Sequence, residues 1–371
     1  MSKAPKDIFQ KCRDYRDTAD ARAQGFYPYF RSIEEPHGNY VICEGERKIM
    51  IGSNNYLGLA QDPRVVEAAC EAIKKYGSGC TGSRLLNGTI KLHVELEEAL
   101  ADFLGRDAAI LFSTGFFANQ GALIALTEDG DAILCDRENH ASIIDGCNFA
   151  PGKLIPFRHN SASSLENRLK RLPDEAGRVV ILDGVFSMSG DIADLPEINA
   201  AAKRHHAAMY VDEAHSLGVL GRQGRGAVDH FGLNDEVEIV MGTFSKSLGS
   251  MGGFIAGDAQ MIEYLKHRAR CLIFTAALAP AVVGGVKKAL ELMQEETWRI
   301  DQLWKNTRKM HEGFKRIGFK IGTTQTPIVP ILIGSEAKAF VFTQRLFEEG
   351  VFATPAIYPA PILAAGCPVV P

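Results

Sequence analysis

Lys246 stands in Val240-Met-Gly-Thr-Phe-Ser-Lys-Ser-Leu-Gly249, just past an apolar run from Val237 to Val240 that reads as a short buried strand. The lysine therefore falls on a loop at a strand end, beside the small hydroxyl residues Thr243 and Ser245. A single lysine in such a place is ordinarily a solvated surface charge. Upstream, a second apolar run delivers Asp212 and His215 in Tyr210-Val-Asp-Glu-Ala-His215. Taken singly, the acid reads as a cap or a buried ion pair, and the histidine as a polar residue at a strand exit. An amine, a carboxylate and an imidazole from neighbouring strand ends together match the parts of a pyridoxal phosphate site. There the lysine carries the cofactor as a Schiff base, and the acid pairs with the protonated ring nitrogen. Once exchanged for a substrate amine, Lys246 is free to move an α-proton as a general base.

Other stretches supply the rest of such a site. Ser113-Thr-Gly-Phe-Phe-Ala-Asn119 reads as a strand-to-helix junction with Gly115 at the turn. Exposed amides at a helix start favour an anionic phosphate, although Ser113 or Thr114 would serve equally well as a plain N-cap. Thr243 and Ser245 add hydroxyls. His140, after Asp136-Arg-Glu-Asn, offers an imidazole to stack on a cofactor ring. His159, His205, His206 and His230 lie in polar surroundings and read as surface residues. Gly77-Ser-Gly-Cys-Thr-Gly82 fits G-x-G-x-x-G but follows a helix instead of a strand. It therefore lacks the βα turn of a dinucleotide fingerprint and reads as a loop.

The elements that must position these residues alternate. Residues 6–25 read as one charged, Ala-rich helix, an N-terminal arm. Short strands follow at Tyr40–Cys43 and Lys48–Ile51. A helix is expected over Pro63–Tyr76 with Val66, Ala69, Cys70 and Ile73 on its inner face, and another over Leu92–Leu104. From Ala108 on, uniformly apolar strands alternate with amphipathic helices, which implies a largely parallel sheet covered on both faces. Sites in such folds lie beyond the carboxyl ends of the strands, where Ser113, Asp183, Asp212 and Lys246 fall. A helical tract from Pro280 to about Ile317 leads to a smaller domain with a strand at Ile328–Ile333 and a helix at Ala337–Glu349. The expected organisation is thus an arm (1–45), a large cofactor-binding domain (46–278), and a connecting helix with a C-terminal domain (279–371).

Composition narrows the function. The 371 residues, 46% hydrophobic and 23% charged with a net charge of −4, fit a globular protein with a large core. That charge argues against nonspecific nucleic-acid binding. The 8 cysteines show no CxxC pair and no metal spacing, and read as buried free thiols of a reducing compartment. With no apolar leader and no run long enough to span a bilayer, a cytoplasmic location is expected, and a peripheral membrane contact stays open. From Val351 to Pro371 the chain carries no charge and five prolines, and reads as a domain that stops before completion.

At these residues the sequence resembles the α-oxoamine synthases, fold type I pyridoxal phosphate enzymes that join an amino acid to an acyl thioester with loss of carbon dioxide. The matching stretches include Gly52-Ser-Asn-Asn-Tyr-Leu-Gly, Gly82-Ser-Arg-Leu-Leu-Asn-Gly-Thr, Asp136-Arg-Glu-Asn-His, Val185-Phe-Ser-Met-Ser-Gly-Asp, Val211-Asp-Glu-Ala-His and Gly242-Thr-Phe-Ser-Lys-Ser. The wording is closest to the bacterial serine palmitoyltransferase branch, which condenses L-serine with palmitoyl-CoA to 3-ketosphinganine. The alternatives are a sister synthase using glycine or alanine, a noncatalytic partner subunit, or a fold type I aminotransferase or lyase. The resemblance implies that Lys246 is the Schiff-base lysine, that Asp212 meets the ring nitrogen, and that His215, with Ser187 nearby, meets the phenolic oxygen. It also implies that His140 stacks on the ring and orients the substrate carboxylate, and that Gly115, Phe116, Thr243 and Ser245 hold the cofactor. By the same resemblance, Asn54 and Tyr56 are expected to line the substrate side. The resemblance further implies that Thr275 reaches the phosphate of a neighbouring subunit, so a shared-site homodimer is expected. Family members continue with an arginine-bearing strand where this sequence ends, which implies a truncated or frameshifted chain with weakened amino-acid binding.

Overall fold

The computed structural model describes residues 7–23, 25, 27–356 and the backbone of 369–370. Much of the expectation about the charge-free terminus, together with Cys367, falls outside the described residues. The chain divides into two compact units: one holds the residues up to Gly52 together with those from Ile331 on, and the other spans Ser53–Pro330.

The larger unit is built on seven strands: β1 Ala108–Phe112, β2 Ala132–Asp136, β3 Lys153–Phe157, β4 Arg178–Asp183, β5 Ala208–Asp212, β6 Ile239–Thr243 and β7 Gly253–Gly257. They lie in the order β1-β7-β6-β5-β4-β2-β3. Strands β2 to β6 pair in parallel, because each is reached from the one before through a helical crossover. The connection from β6 to β7, residues 244–252, holds no helix. It therefore returns the chain antiparallel, between β6 and β1. This loop carries Lys246. The expected parallel sheet is present, with this one reversed strand added.

The apolar strands are buried on both sides. Ile110, Ile133, Ile181, Tyr210, Ile239 and Ile255 enter one core cluster, and their neighbours Leu111, Leu134, Leu182, Val211, Val240 and Phe254 enter the other. The two-residue period of a strand sends successive side chains to opposite faces, so an all-apolar strand needs a covering layer on each. Helices Gly115–Leu126 and Ala141–Phe149 cover the Tyr210 face through Ala118, Ala122, Leu123, Ile143 and Cys147.

Helix Pro63–Tyr76 has the expected bounds, and Ala69 faces its partner helix as expected, but the rest of its inner face differs. It buries Val65 and Ala72, while Val66 and Ile73 remain 49% and 44% exposed. The cause is its partner, helix Pro280–Glu295. A Cβ added at Gly284 would lie 2.7 Å from the Ala72 Cβ, so only the small-residue face fits against it. Three other boundaries differ from expectation. The N-terminal arm is two short helices, Gln10–Asp14 and Asp17–Ala23, broken where Tyr15 turns extended. The tract after Pro280 breaks at the non-helical Glu296, whose carboxylate accepts from Arg64 and Arg299, and resumes as Trp298–Arg316. The strand expected at 328–333 narrows to Ile331–Leu332, just past Pro330, which has no N–H to contribute to a ladder.

In the smaller unit Ile33–His37, Tyr40–Cys43, Glu46–Met50 and Val351–Phe352 form a four-stranded sheet. Val41, Cys43 and Phe352 pack there with Phe347 of helix Glu336–Glu348.

Candidate active site

The carboxyl ends of β4, β5 and β6 and the starts of helices Gly115–Leu126 and Ala141–Phe149 enclose a cavity of about 290 Å³. Its walls include Gly115, Phe116, His140, Asp183, Asp212, His215, Thr243, Ser245 and Lys246. Eight residues that the sequence nominated are thus brought together, with Asp183 added.

Lys246 is held by the loop around it. Phe244 is buried and stacks on Phe254, the Phe244 amide donates to Gly252 O, and Ser247 Oγ donates to Leu217 O at 2.6 Å. Gly249 closes the turn at φ +62°, where a Cβ would lie 2.5 Å from the Ala60 amide. Lys246 keeps some access through the cavity mouth, yet the protein crowds its amine. Burial pulls its pKa down to about 8, against the pull of Asp212 and Asp183. Such an amine is partly neutral near physiological pH, the state a nucleophile or base requires.

Asp212 ends β5. Its Oδ1 accepts from the Ala214 amide and its Oδ2 from Asn119 Nδ2, both at 2.8 Å. Asp183 is its register partner on β4 and accepts from the His140 amide at 2.9 Å. Burial first, then the neighbouring Asp212, drives the Asp183 carboxyl well above its ordinary pKa. His140 caps helix Ala141–Phe149 and opens toward the cavity. Desolvation lowers its imidazole, opposed by Asp212 and aided by Lys246. His215 is lowered further, by burial and then by the charges of Lys246 and His140, so both rings are neutral at pH 7.

The anion end forms at helix Gly115–Leu126. Thr114 caps it by accepting from the Phe117 amide at 3.0 Å, which leaves the first-turn amides of Gly115 and Phe116 to meet a phosphate. A Cβ on Gly115 would lie 3.0 Å from Thr243 and Met241, so bare backbone is required there. Thr243 Oγ1 spends its hydrogen on Gly252 O at 2.9 Å, leaving the Ser245 hydroxyl as the donor of the pair. A bare-backbone cradle, a hydroxyl, a crowded amine and a carboxylate meet the needs of a pyridoxal phosphate in one cavity.

Four nominated residues lie outside the cavity wall. Tyr56 stands behind His215, its hydroxyl 2.8 Å from Nδ1. Asn54 is exposed on the same loop, and Ser187 follows β4. Thr275 sits beside the 73% exposed Phe274, near Arg84 and His93. His159 corrects the surface reading. Its Nδ1 lies 3.0 Å from the buried Asp136, with Asp191 and Glu138 at ion-pair distance from Nε2. Burial would lower its pKa, but Asp136, Asp191 and Glu138 outweigh it and raise it to about 10. Asn119, Ser142 and Tyr210 were not nominated, and Asp183 was expected at a strand end but given no role. A polar residue on an apolar helix face was the only local sign of Asn119; the register of β4 against β5 places Asp183.

The model of the aminotransferase class I and II family matches residues 46–361. The chain is similar to serine palmitoyltransferase of Sphingobacterium spiritivorum, at 48% identity over 95% of this chain and 88% of the relative. It is similar to 8-amino-7-oxononanoate synthase of Treponema denticola at 44% identity, over 92% of this chain and 86% of the relative. Among solved structures, serine palmitoyltransferase from S. paucimobilis with PLP and myriocin bound superposes with a TM-score of 0.93 at 37% identity, covering 98% of this chain and 92% of that one. The Sphingomonas wittichii serine palmitoyltransferase gives 0.92 at 38% identity, with the same coverage of both chains.

Proposed function

The chain belongs to the aminotransferase class I and II family, and from that footing we propose that it is a pyridoxal phosphate-dependent acyltransferase condensing L-serine with palmitoyl-CoA to 3-ketosphinganine, with release of carbon dioxide and free CoA. The observation that carries this reading is the Lys246 amine. It is lowered to about 8 and faces Asp212 and His140 in one cavity, in a chain so similar to serine palmitoyltransferases. When bound, the cofactor supplies an electron sink for negative charge at the amino acid's α-carbon.

The chain's own residues do the rest. Lys246 is the residue that would hold the cofactor, and its amine, when free, would serve as the base for the α-proton of serine. Asp212 accepts the ring N–H and keeps the ring positively charged, its two oxygens already held by Asn119 and Ala214. His140, a neutral ring in the cavity wall, would stack on the cofactor ring and offer a hydrogen bond to the serine carboxylate. His215 and Ser187 serve the phenolic oxygen. The amides of Gly115 and Phe116 hold the phosphate, and the Ser245 hydroxyl joins them by turning its hydrogen from Thr243 Oγ1 to the anion. Asn54 and Tyr56 border the substrate side.

Thr275, on an exposed edge outside the cavity, supports a homodimer in which it reaches its neighbour's phosphate. Among the described residues no helix is long and apolar enough to cross a membrane. We place the reaction in the cytoplasm, on a substrate whose acyl chain brings the enzyme near membranes. A glycine- or alanine-using synthase is the second reading, favoured by the 44% identity to the oxononanoate enzyme.

The experiment is spectroscopic and then chemical. Purified cofactor-loaded protein is yellow, and Lys246→Ala removes the covalent absorption band. Serine perturbs the band at lower concentration than glycine or alanine, and palmitoyl-CoA then releases carbon dioxide. A colourless wild type, or a band that survives Lys246→Ala, refutes the reading; preference for glycine or alanine selects the second one.

A further inference from the structure

Behind the cavity wall lies a polar chain buried in an otherwise apolar core. Asn119, on the inner face of helix Gly115–Leu126, is fully buried. Its Nδ2 lies 2.8 Å from Asp212 Oδ2 and 2.9 Å from Ser142 Oγ, and its Oδ1 lies 2.8 Å from the hydroxyl of the fully buried Tyr210. Ser142 Oγ in turn lies 2.8 Å from His140 Nδ1, and the Ser142 amide reaches the same nitrogen at 3.2 Å.

Hydrogen-bonding capacity gives every link one direction. A carboxylate only accepts, so the amide of Asn119 must turn its NH2 toward Asp212. Its oxygen then faces Tyr210, whose hydroxyl has to donate. The second hydrogen of that NH2 goes to Ser142 Oγ. With a lone pair taken by that NH2, the Ser142 hydroxyl turns its hydrogen to His140 Nδ1 in the shorter, 2.8 Å contact, and the weaker 3.2 Å contact from the Ser142 amide agrees, so Nδ1 is an acceptor. A neutral imidazole with Nδ1 accepting carries its proton on Nε2.

We propose that Asn119, oriented by Tyr210, is a positioning residue that orders the protons on both sides of the cofactor cavity: it holds Asp212 as an acceptor and, through Ser142, leaves Nε2 of His140 as that ring's only hydrogen-bond donor. The lowered pKa of His140 agrees, since a doubly protonated ring could not accept at Nδ1. The chain leaves no slack. Turning the Asn119 amide over would set its oxygen against the Asp212 carboxylate, and a buried mismatch of that kind is costly. The consequence for chemistry is a coupling: a change at Asp212 is transmitted to the donor that faces the substrate carboxylate.

The proposal rests on the cavity being the cofactor site, and its test separates the two claims. Nitrogen-15 NMR of histidine-labelled, cofactor-free protein reads the tautomer of His140. Wild type shows the Nε2–H form. Asn119→Leu, Tyr210→Phe and Ser142→Ala each shift it toward a mixture, with Ser142→Ala the largest. In cofactor-loaded protein, Asn119→Leu and Tyr210→Phe move the pH midpoint of the visible band by at least about 0.5 unit, the equivalent of one modest hydrogen bond. Ser142→Ala, one contact further from Asp212, moves that midpoint less than Asn119→Leu does. If any one variant fails to fold, the other two still report on the relay. An Nδ1–H tautomer in wild type, or unchanged tautomer and midpoint in folded Asn119→Leu and Tyr210→Phe, overturns the relay. A wild type that never turns yellow overturns the cofactor reading and leaves the tautomer result to be judged alone.

Discussion

The Lys246 amine and the His159 imidazole are both moved far from their ordinary pKa values, in opposite directions, and each leaves a signature in stability against pH. For cofactor-free protein, Lys246 binds its proton less tightly when folded (about 8) than when unfolded (10.5). Folding therefore costs the most where both states are protonated, below pH 8, and the cost disappears as pH rises to 10.5. Lys246→Met is expected to be more stable than wild type at pH 7, by up to about 3 kcal/mol. That advantage should shrink between pH 8 and 10.5 in paired denaturant titrations. His159 runs the other way. Its folded pKa of about 10 lies above the unfolded value of 6.5, so its stabilisation is complete below 6.5 and lost as pH climbs through 10. His159→Gln should lower stability by roughly 1–3 kcal/mol at pH 6 and by little at pH 10.5, because the loss is that of a charge-assisted contact with Asp136, Asp191 and Glu138.

At the scale of elements, the site depends on how closely β7 passes the start of helix Gly115–Leu126. A Cβ on Gly253 would lie 2.6 Å from the Gly115 Cα and 2.9 Å from its amide, with backbone on both sides and no flexible side chain to yield. Gly253→Ala should push the phosphate-binding turn outward. The expected outcome is a stability loss of about 1–3 kcal/mol by thermal melting and a cofactor affinity at least tenfold weaker by fluorescence titration. The same crowding explains why the inner face of helix Pro63–Tyr76 was misjudged. Its periodicity offered both a large-residue and a small-residue face, and Gly284 on the partner helix selected the small one. Ala72→Leu should therefore destabilise the pair by overpacking, whereas Val66→Ala should be nearly silent, as chemical denaturation would show.

At the scale of the whole molecule, the reading of Thr275 implies that activity belongs to an assembly. Thr275→Ala should weaken cofactor retention while leaving the melting temperature near that of wild type. Mixing it with Lys246→Ala should restore part of the activity if each site draws on two chains. Sedimentation across a hundredfold dilution would show whether activity falls as dimers separate. A monomer with full activity would refute the shared site. The architecture itself is secure at this scale, since a TM-score of 0.93 over 98% of the chain leaves little room for a different topology.

The sequence by itself determined the alternation of apolar strands and amphipathic helices. It also identified the strand-end residues Lys246, Asp212, His215 and His140 and the turn at Gly115, because strand ends and helix starts are marked locally by composition and turn chemistry. What it could not contain was which strands become neighbours. The reversal of β7 and the pairing of Asp183 with Asp212 arise from sheet order, a contact between residues far apart in the chain. His159 looked like a surface residue because Asp136 and Asp191, 23 residues before it and 32 after, meet it only once the strands have paired. Asn119 and Tyr210 were invisible for the same reason: their hydroxyl and amide become a relay only when a helix packs on the sheet and excludes the water that would otherwise satisfy each of them alone.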